Sequence, residues 1–331
     1  MYFVSTVLNV KGSPVPPGED NRTTGIGTFT QRGECAFLIS VADGCGGSGG
    51  TVYAEAQNWT GARIASTEVS LELGRWFSKS DVGALSTKEQ ANSLQTLLYK
   101  RLKELSENLP GIQFRGGMIK MLPTTVTAIT AAPTDEKHIL LRYFWAGNTR
   151  GYYFGSTGLR QITWDDTVGD LDPFEDLQKD GILSNVANAT KPFVIHFREL
   201  TTAEPCIVFA ASDGCFSSFL SPLELEEKLL NTLMQANTPV EWEHLLDGAI
   251  GRIAGDDYTM QIAVLGFQTF EAIKMAFTPR WKAFCEHYQQ RLEACRNLSA
   301  EDPNLKIVLQ NLWNEYKADF LREVDKWRVK Q

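Results

Sequence analysis

The sequence of 331 residues lacks long apolar segments, and none approaches the roughly 20 residues needed to span a bilayer. The first stretch, MYFVSTVLNV, is short and has no basic lead, so it predicts a strand rather than a signal peptide. Basic residues are also scarce, since 32 Lys and Arg face 40 Asp and Glu, for a net charge of −8. This balance argues against nucleic acid or an anionic membrane surface as a partner.

The sequence is equally poor in paired sulfur and imidazole ligands. Its six cysteines include no Cys-x-x-Cys pair, and a chain of this length does not need disulfides, so a reducing cytoplasm is the simplest interpretation. The four histidines lack His-x-x-x-His and His-Glu-x-x-His spacing, which argues against zinc catalysis. A Gly-x-x-x-x-Gly-Lys-Ser/Thr phosphate loop is absent as well.

Short β-rich runs alternate with helical segments up to residue 267. The runs are rich in Val, Ile, Thr, Phe and Tyr and are bounded by Gly, Pro, Asp or Asn, which is typical of strands. They cluster on both sides of a central helical block, so we expect an α+β fold with antiparallel sheets rather than alternating βαβ units. The predicted strands are YFVSTVLNV, GIGTFTQ, CAFLISVA, TTVTAITA, HILLRYFWAG, TRGYYFG, FVIHFREL, CIVFAAS and TMQIAVLGF.

Capping residues predict where helices begin. Ser86 and Glu89 form the pattern of a capping box before a helix that ends near Asn108. SPLE at 221–224 and TPVE at 238–241 repeat the pattern with Pro at the first helical position. Another helix is predicted through YAEAQNWTGARIA, which follows the glycines near residue 50.

After Phe267 the strand signal ends, so we expect a main domain of residues 1–268 and a helical C-terminal extension of residues 269–331. Thr278-Pro279 predicts the start of one helix, and Ser299 to Asp302 the cap of another. The last helix has an apolar stripe that must pack on the main domain, on a second copy of the chain or on a separate partner. If the stripe serves docking or self-association, we expect a chain that ends near residue 270 to keep its activity. The stripe consists of Leu305, Val308, Leu309, Leu312, Trp313, Tyr316, Phe320, Val324 and Trp327.

Carboxylates recur at the ends of the predicted strands. Asp43 and Asp213 end apolar runs, Asp256 begins one, and Glu19-Asp20 precedes another. A single Asp-Gly between apolar runs is most often a turn. Carboxylates gathered at strand ends repel one another unless a cation neutralises them. Oxygen ligands without His or Cys spacing indicate a hard ion, Mg²⁺ or Mn²⁺.

Seven short motifs follow one another between residues 1 and 267. They are GEDN at 18–21, VADGCGG at 41–47, PTTVTAIT at 123–130, AGNTRGYYF at 146–154, QITWDDT at 161–167, FAASDGC at 209–215 and GDDYTMQIAV at 255–264. Taken in this order, they make residues 1–267 resemble the metal-dependent type 2C serine/threonine protein phosphatases, the PPM family, in its bacterial branch. The resemblance implies two stacked antiparallel β-sheets flanked by helices, with a two-metal site at one edge.

The resemblance also implies roles for individual residues. Asp43 would bridge two Mn²⁺ or Mg²⁺ ions, and Asp213 and Asp256 would complete the shell of the first ion. The carbonyl oxygen of Gly44 and waters held by Glu19 would serve the second. A water activated between the ions would attack the phosphoryl group in line, without a covalent enzyme intermediate. Residues expected around these ligands are Asp20, Asn148 and Asp257.

Three positions depart from the family pattern. Cys45 stands at the general-acid position of the animal enzymes, and the two other departures concern the phosphate and metal sites. Val15 stands where the family has a phosphate-binding Arg, and Asn148 replaces an Asp linked to a weaker third metal, which puts a third ion in doubt. The intact carboxylates favour a cytoplasmic enzyme that dephosphorylates serine and threonine in proteins, with a cognate kinase or its target as partner. The departures at Val15 and Asn148 favour the alternative, a catalytically weak relative that binds a phosphoprotein or kinase as a regulatory module. Residues 165–192 align with the family's flap, which shapes substrate choice.

Overall fold

The computed structural model describes residues 4–14, 17–29, 33, 35–79, 85–109, 121–135, 137–169, 171–179, 181–299 and 301–328.

The first of two antiparallel sheets contains five strands in the order β1-β13-β12-β9-β10. In this sheet the N-terminal strand β1 pairs with the late strand β13, so that Lys11 lies opposite Thr259. The strands are β1 (Val4–Gly12), β9 (Arg150–Gly155), β10 (Gly158–Gln161), β12 (Cys206–Ala211) and β13 (Tyr258–Leu265).

The second sheet has the order β11-β8-β7-β4-β2, and β3 also pairs with β4. At one edge of this sheet, Asp43 on β4 lies opposite Thr125 on β7. A separate pair is formed by β5 (Val52–Tyr53) and β6 (Trp59–Thr60). The strands of the second sheet are β2 (Asn21–Arg22), β3 (Ile26–Phe29), β4 (Cys35–Gly44), β7 (Thr124–Pro133), β8 (Ile139–Ala146) and β11 (His196–Thr202).

The two sheets stack on each other through an apolar layer. Val41 and Ile129 of the second sheet and Val208 and Ala263 of the first are buried together in this layer. Polar links also cross this layer; for example, the Gln261 side chain accepts a hydrogen bond from the Ser40 amide at 2.9 Å. All nine predicted strands are formed, and the predicted α+β architecture of two stacked antiparallel sheets with flanking helices is confirmed.

Helices cover the outer face of each sheet. On the second sheet, α2 contacts β4 and β7, and α3 contacts α2 and β11. Leu73, Phe77 and Leu98 of these helices are buried in one apolar cluster with the sheet. On the first, α5, α6 and the C-terminal helices bury a larger apolar set. Within the described residues, no helix is long and apolar enough to cross a membrane. The helices are α1 (Gly46–Gly49), α2 (Gly61–Lys79), α3 (Thr87–Asn108), α4 (Pro173–Lys179), α5 (Leu223–Gln235), α6 (Pro239–Gly251), α7 (Phe270–Phe284), α8 (Gln290–Arg296), α9 (Pro303–Phe320) and α10 (Arg322–Arg328).

Three predicted helix starts are confirmed. The capping box at Ser86 is formed in both directions with Glu89. At the start of α6, the Thr238 hydroxyl accepts from the Glu241 amide at 3.1 Å, with Pro at the first helical position. Asp302 caps α9 by accepting from the Asn304 amide at 2.8 Å. In each case a side-chain oxygen satisfies a backbone N–H that has no partner within the helix.

Three other helix starts differ from the prediction. The helix expected through residues 53–65 begins only at Gly61, because the β5–β6 pair occupies the preceding residues. The helix α5 begins at Leu223 after Pro222, which offers no side-chain cap, and the Ser221 hydroxyl accepts from the Leu223 amide only at 3.5 Å. The helix expected at Thr278-Pro279 begins earlier, after Thr269, whose hydroxyl accepts from the Ala272 amide at 3.1 Å. A competing cap upstream and buried apolar residues on both sides of Pro279 outweigh the local signal of that proline.

The C-terminal extension packs against the main domain. Phe277 lies 4.5 Å, between ring centroids, from Phe154 on β9. Further along the extension, Phe320 packs against Tyr152 with centroids 6.3 Å apart. The stripe of the last helix is therefore covered by the same chain, and the helix is interrupted at Leu321 between α9 and α10. A chain ending near residue 270 would expose this surface. The side chain of Trp327 lies outside the described residues.

We expect Phe277→Ala to lower the free energy of unfolding by about 3–5 kcal/mol, because it leaves a cavity in the core shared by the extension and the first sheet. On the same helix, Met275 is 68% exposed, so Met275→Ala should change stability by less than about 0.5 kcal/mol. Urea unfolding of the full chain measures both values. Equal effects of the two substitutions would contradict the shared core.

Candidate active site

Two strand ends bring Asp43 and Asp213 together. Asp43 is the penultimate residue of β4, and Asp213 follows β12 in a single helical turn. Each is followed by a glycine that allows close packing. A Cβ atom on Gly44 would lie 2.8 Å from the Ala62 carbonyl oxygen, and one on Gly214 would overlap the Asp257 main chain. The Asp-Gly pairs therefore allow tight backbone packing at the edge of the stacked sheets. The alternative interpretation of these pairs from the sequence was a simple hairpin turn.

Three carboxyl groups meet at this edge. The Asp43 carboxyl is hydrogen-bonded to those of Asp20 and Asp213. Burial raises the pKa of Asp43 well above its ordinary value, and the negative charges of Asp213 and Asp20 raise it further. Burial also raises the pKa of Asp213, and it raises that of Asp20 to about 7 although a hydrogen bond from Ser212 opposes the shift. Without a cation, the cluster therefore retains protons at pH values where isolated carboxyls are ionised.

The remaining predicted acidic residues form the rim of this cluster. The Glu19 amide donates to the Asp257 carboxylate at 2.5 Å. Asp256 is exposed, and its charge contributes to the raised pKa values of both Asp213 and Glu19, for which burial is the larger cause. Its Oδ1 accepts from the Asp257 amide at 2.7 Å. The structure thus brings all four predicted acidic strand-end segments to one place.

Asn148 lies in the turn between β8 and β9. Its amide nitrogen donates to the Asp213 Oδ2 atom at 3.0 Å. Its Oδ1 atom is buried, and no hydrogen-bond partner for it is found among the described residues. An unsatisfied buried acceptor beside a carboxylate is costly, so this corner of the site is suited to a donor or a cation. Val15, another departure from the family pattern, lies outside the described residues.

Hydroxyl groups and one amine orient the acidic residues, and the motifs alone did not assign them. Ser212 donates to Asp20 Oδ2 at 2.6 Å, and Thr124 donates to the Asp43 carbonyl oxygen at 2.7 Å. Thr60 donates to Glu19 Oε1. Lys11 Nζ donates to the Asp20 carbonyl oxygen at 2.7 Å. Ser212, adjacent to Asp213, and Thr124, within the PTTVTAIT motif, gave a local signal. Thr60 and Lys11 approach through tertiary packing.

The cluster fits a hard divalent cation in its donor chemistry. Among the described residues, no Lys or Arg nitrogen lies within 4.0 Å of a carboxylate oxygen of Asp43, Asp20 or Asp213. Carboxylate oxygens without sulfur or imidazole suit Mg²⁺ or Mn²⁺. In the described part of the chain, no group of three Asp, Glu, His or Cys side chains is already arranged so that it could hold a metal ion. Binding would therefore require the carboxyls to lose protons and exchange their mutual hydrogen bonds for bonds to the ion.

A buried charge cluster holds the segment 165–192 beside Asp213. Arg150 is 1% exposed, and its guanidinium donates to Asp165 at 2.6 Å and to Asp176 at 3.2 Å. It also lies 4.1 Å above the Phe216 ring. Next to this cluster is a cavity of about 260 Å³, in which Asp176 on α4 faces the same space as Asp213. The cavity is lined by Asn148, Asp176, Leu177, Gly181, Asp213, Phe216 and Ser217.

The fold is that of the bacterial PPM-type serine/threonine phosphatases. The structure is similar to Stp1 from Staphylococcus aureus, with a TM-score of 0.55, 18% identity, and coverage of 81% of this chain and 98% of that chain. It is also similar to the catalytic domain of PstP in complex with two manganese ions, with a TM-score of 0.55, 18% identity, and coverage of 80% and 100%. For MsPP from Mycobacterium smegmatis, in complex with cacodylate, the TM-score is 0.54, the identity 16% and the coverage 80% and 100%. No family model and no curated protein matches the sequence.

We expect the metal-free chain to lose stability as the pH rises from about 4 to about 7. An unfolded Asp20 releases its proton near its ordinary pKa of 3.8, whereas the folded chain holds it until a pKa of about 7, so the folded state binds more protons within this window. Asp20→Asn should make the fall less steep. Urea unfolding in EDTA across this range measures the slopes. The exposed control Asp325→Asn should follow the wild type, and an unchanged slope in Asp20→Asn would contradict the assignment.

Proposed function

We propose that this chain is a metal-dependent phosphatase that removes phosphate from phosphoserine and phosphothreonine in proteins, with Mn²⁺ or Mg²⁺ as cofactor. The observation that carries the proposal is the convergence of Asp43, Asp20 and Asp213 at the common edge of two stacked sheets. Carboxylates gathered in a partly buried place repel one another, and cations bound there would neutralise this repulsion. The fold supports the proposal, since it is shared with bacterial serine/threonine phosphatases.

The proposed ligands divide between two ions. Asp43, Asp213 and Asp256 would hold the first ion, and Asp43, the Gly44 carbonyl oxygen and waters held by Glu19 would hold the second. When bound, the ions would neutralise charge on the phosphoryl oxygens and lower the pKa of a water that attacks phosphorus.

The surrounding residues orient these ligands. Asn148 holds Asp213 through its amide nitrogen, and Thr60 holds Glu19 through its hydroxyl. Ser212 holds Asp20, which in turn contacts Asp43. Asp257 fixes the main chain of Glu19 by accepting from its amide. Side chains restrained in this way keep the ligand oxygens close to their working positions, which limits the reorganisation needed during the reaction.

Protons compete with the ions for the cluster. Because the pKa values of Asp43, Asp20 and Asp213 are all raised, these groups must release protons before they can serve as ligands. Metal affinity should therefore increase as the pH rises through the neutral range. Stabilisation of the fold by Mn²⁺, followed as a shift in the melting temperature, should increase in the same direction.

The proposed substrate is a phosphorylated protein, either a cognate serine/threonine kinase or the target of one, in the cytoplasm. The cavity beside Asp213 has a volume of about 260 Å³ and includes the side chains of Leu177 and Phe216. A mixed polar and apolar surface next to the acidic cluster is suited to a peptide segment that follows the phosphorylated residue.

We expect Asp43→Asn and Asp213→Asn each to lower Mn²⁺-dependent hydrolysis of p-nitrophenyl phosphate by on the order of 100- to 1000-fold, because each removes charge that an ion requires. The stabilisation of the fold by Mn²⁺ should also be lost in Asp43→Asn. Initial rates and thermal unfolding with and without Mn²⁺ measure the two effects.

Asp325→Asn is the matched control, since Asp325 is an exposed carboxylate on α10 and should leave both measurements unchanged. Near wild-type activity in either site variant would contradict the two-ion assignment. A wild-type chain that binds Mn²⁺ but hydrolyses neither p-nitrophenyl phosphate nor a phosphothreonine peptide would contradict the enzymatic proposal and favour the regulatory binding module.

A further inference from the structure

The C-terminal helix α9 contacts the short helix α4, which belongs to the segment beside the acidic cluster. The indole N–H of Trp313 donates to Asp172 Oδ2 at 3.1 Å. The Trp313 ring also packs nearly parallel to that of Phe174, with centroids 6.2 Å apart and an interplanar angle of 22°. Trp313 and Phe174 are both buried, at 0% and 2% exposure. One side chain of the extension therefore holds α4 through a polar contact and an apolar contact.

The Asp172 carboxylate has two tasks in this contact. Its Oδ1 atom accepts from the amides of Phe174 at 3.0 Å and Glu175 at 2.9 Å, and so caps the first turn of α4. Its Oδ2 atom accepts from Trp313. A single carboxylate thus connects the start of α4 to the middle of α9. Two separate acceptor oxygens are needed for this, and a carboxylate supplies both.

Further along α4, two residues face the candidate active site. Asp176 and Leu177 line the cavity that Asp213 also lines. Asp176 is fixed by the Arg150 guanidinium at 3.2 Å. Helices of seven residues are not stable alone, because too few hydrogen bonds offset the cost of nucleation. The position of this cavity wall therefore depends on contacts that hold α4 from outside, and Trp313 provides the contact at its other end.

We propose that the C-terminal extension fixes one wall of the cavity beside Asp213, with Trp313 and Asp172 as positioning residues, and so determines how a phosphorylated protein segment fits. This rests on the function proposed above. Neither residue touches the acidic cluster, so the bond-breaking chemistry does not depend on them. A substrate that extends into the cavity depends on the position of α4, whereas a small phosphate ester that contacts only the acidic cluster does not.

The test compares Trp313→Phe and Asp172→Asn with Arg296→Gln in the full chain. The Phe variant keeps an aromatic ring but loses the indole donor, and the Asn variant has one carboxamide oxygen where two acceptors are needed. Arg296 pairs with Glu224 and Glu227 on α5, so its substitution weakens the extension elsewhere and leaves α4 untouched. The first measurement is hydrogen exchange of the Phe174 and Glu175 amides relative to amides of β13.

We expect the two α4 variants to speed this relative exchange by about tenfold, the effect of losing one hydrogen bond to a charged group, and the control to leave it unchanged. With a phosphothreonine peptide, kcat/KM should fall by about tenfold in the same variants, chiefly through a higher KM. With p-nitrophenyl phosphate, kcat/KM should stay within about twofold of the wild type.

Unchanged relative exchange in both α4 variants would overturn the proposal, as would equal losses with the two substrates. The exchange measurement does not require activity. If the wild type hydrolyses neither substrate, the proposed function fails, while the exchange data still decide whether the extension positions α4.

Discussion

Repulsion among carboxyl groups at one edge of the stacked sheets is the constraint on which the rest of the site depends. Asp43, Asp20 and Asp213 are brought within hydrogen-bond contact by strand ends that the fold cannot separate, since each strand is held by its sheet along its length. The apolar layer between the sheets offsets the cost of this crowding. In the metal-free chain, shared protons relieve the repulsion. The same arrangement that costs stability without a cation is therefore the one that favours binding of a cation.

Much of the fold could be predicted because its signals are local. Strands such as Cys206–Ala211 are continuous apolar runs with clear ends, and their position follows from residue type alone. The helix starts at Ser86, Thr238 and Asp302 were predictable because a capping side chain acts within three residues of its own position. Pro279 was misleading, since its local signal competes with a cap ten residues upstream at Thr269 and with packing that only the folded chain supplies.

The acidic residues of the site were predictable from their positions at strand ends, whereas several of the residues that orient them were not. Thr60 and Lys11 reach Glu19 and Asp20 from separate elements, and no spacing pattern in the sequence indicates these hydrogen bonds. The surface that covers the last helix could not be predicted either. An apolar stripe indicates that the helix is buried, but it does not indicate which surface buries it. The contact of Trp313 with Asp172 joins residues 141 positions apart, beyond the range of any local pattern.

The pairing of β1 with β13 has a consequence for the order in which the chain can assemble. Glu19 lies between β1 and β2, and Asp257 immediately precedes β13, so the hydrogen bond between these two residues forms only when the first and last strands of the main domain have paired. During synthesis, the N-terminal strand must wait for residues near 265 before its edge is covered. Closing so long a loop is slow, and an uncovered strand edge is open to wrong pairing in the meantime. The acidic cluster therefore forms late, which spares the growing chain the cost of its repulsion until most of the stabilising core is in place.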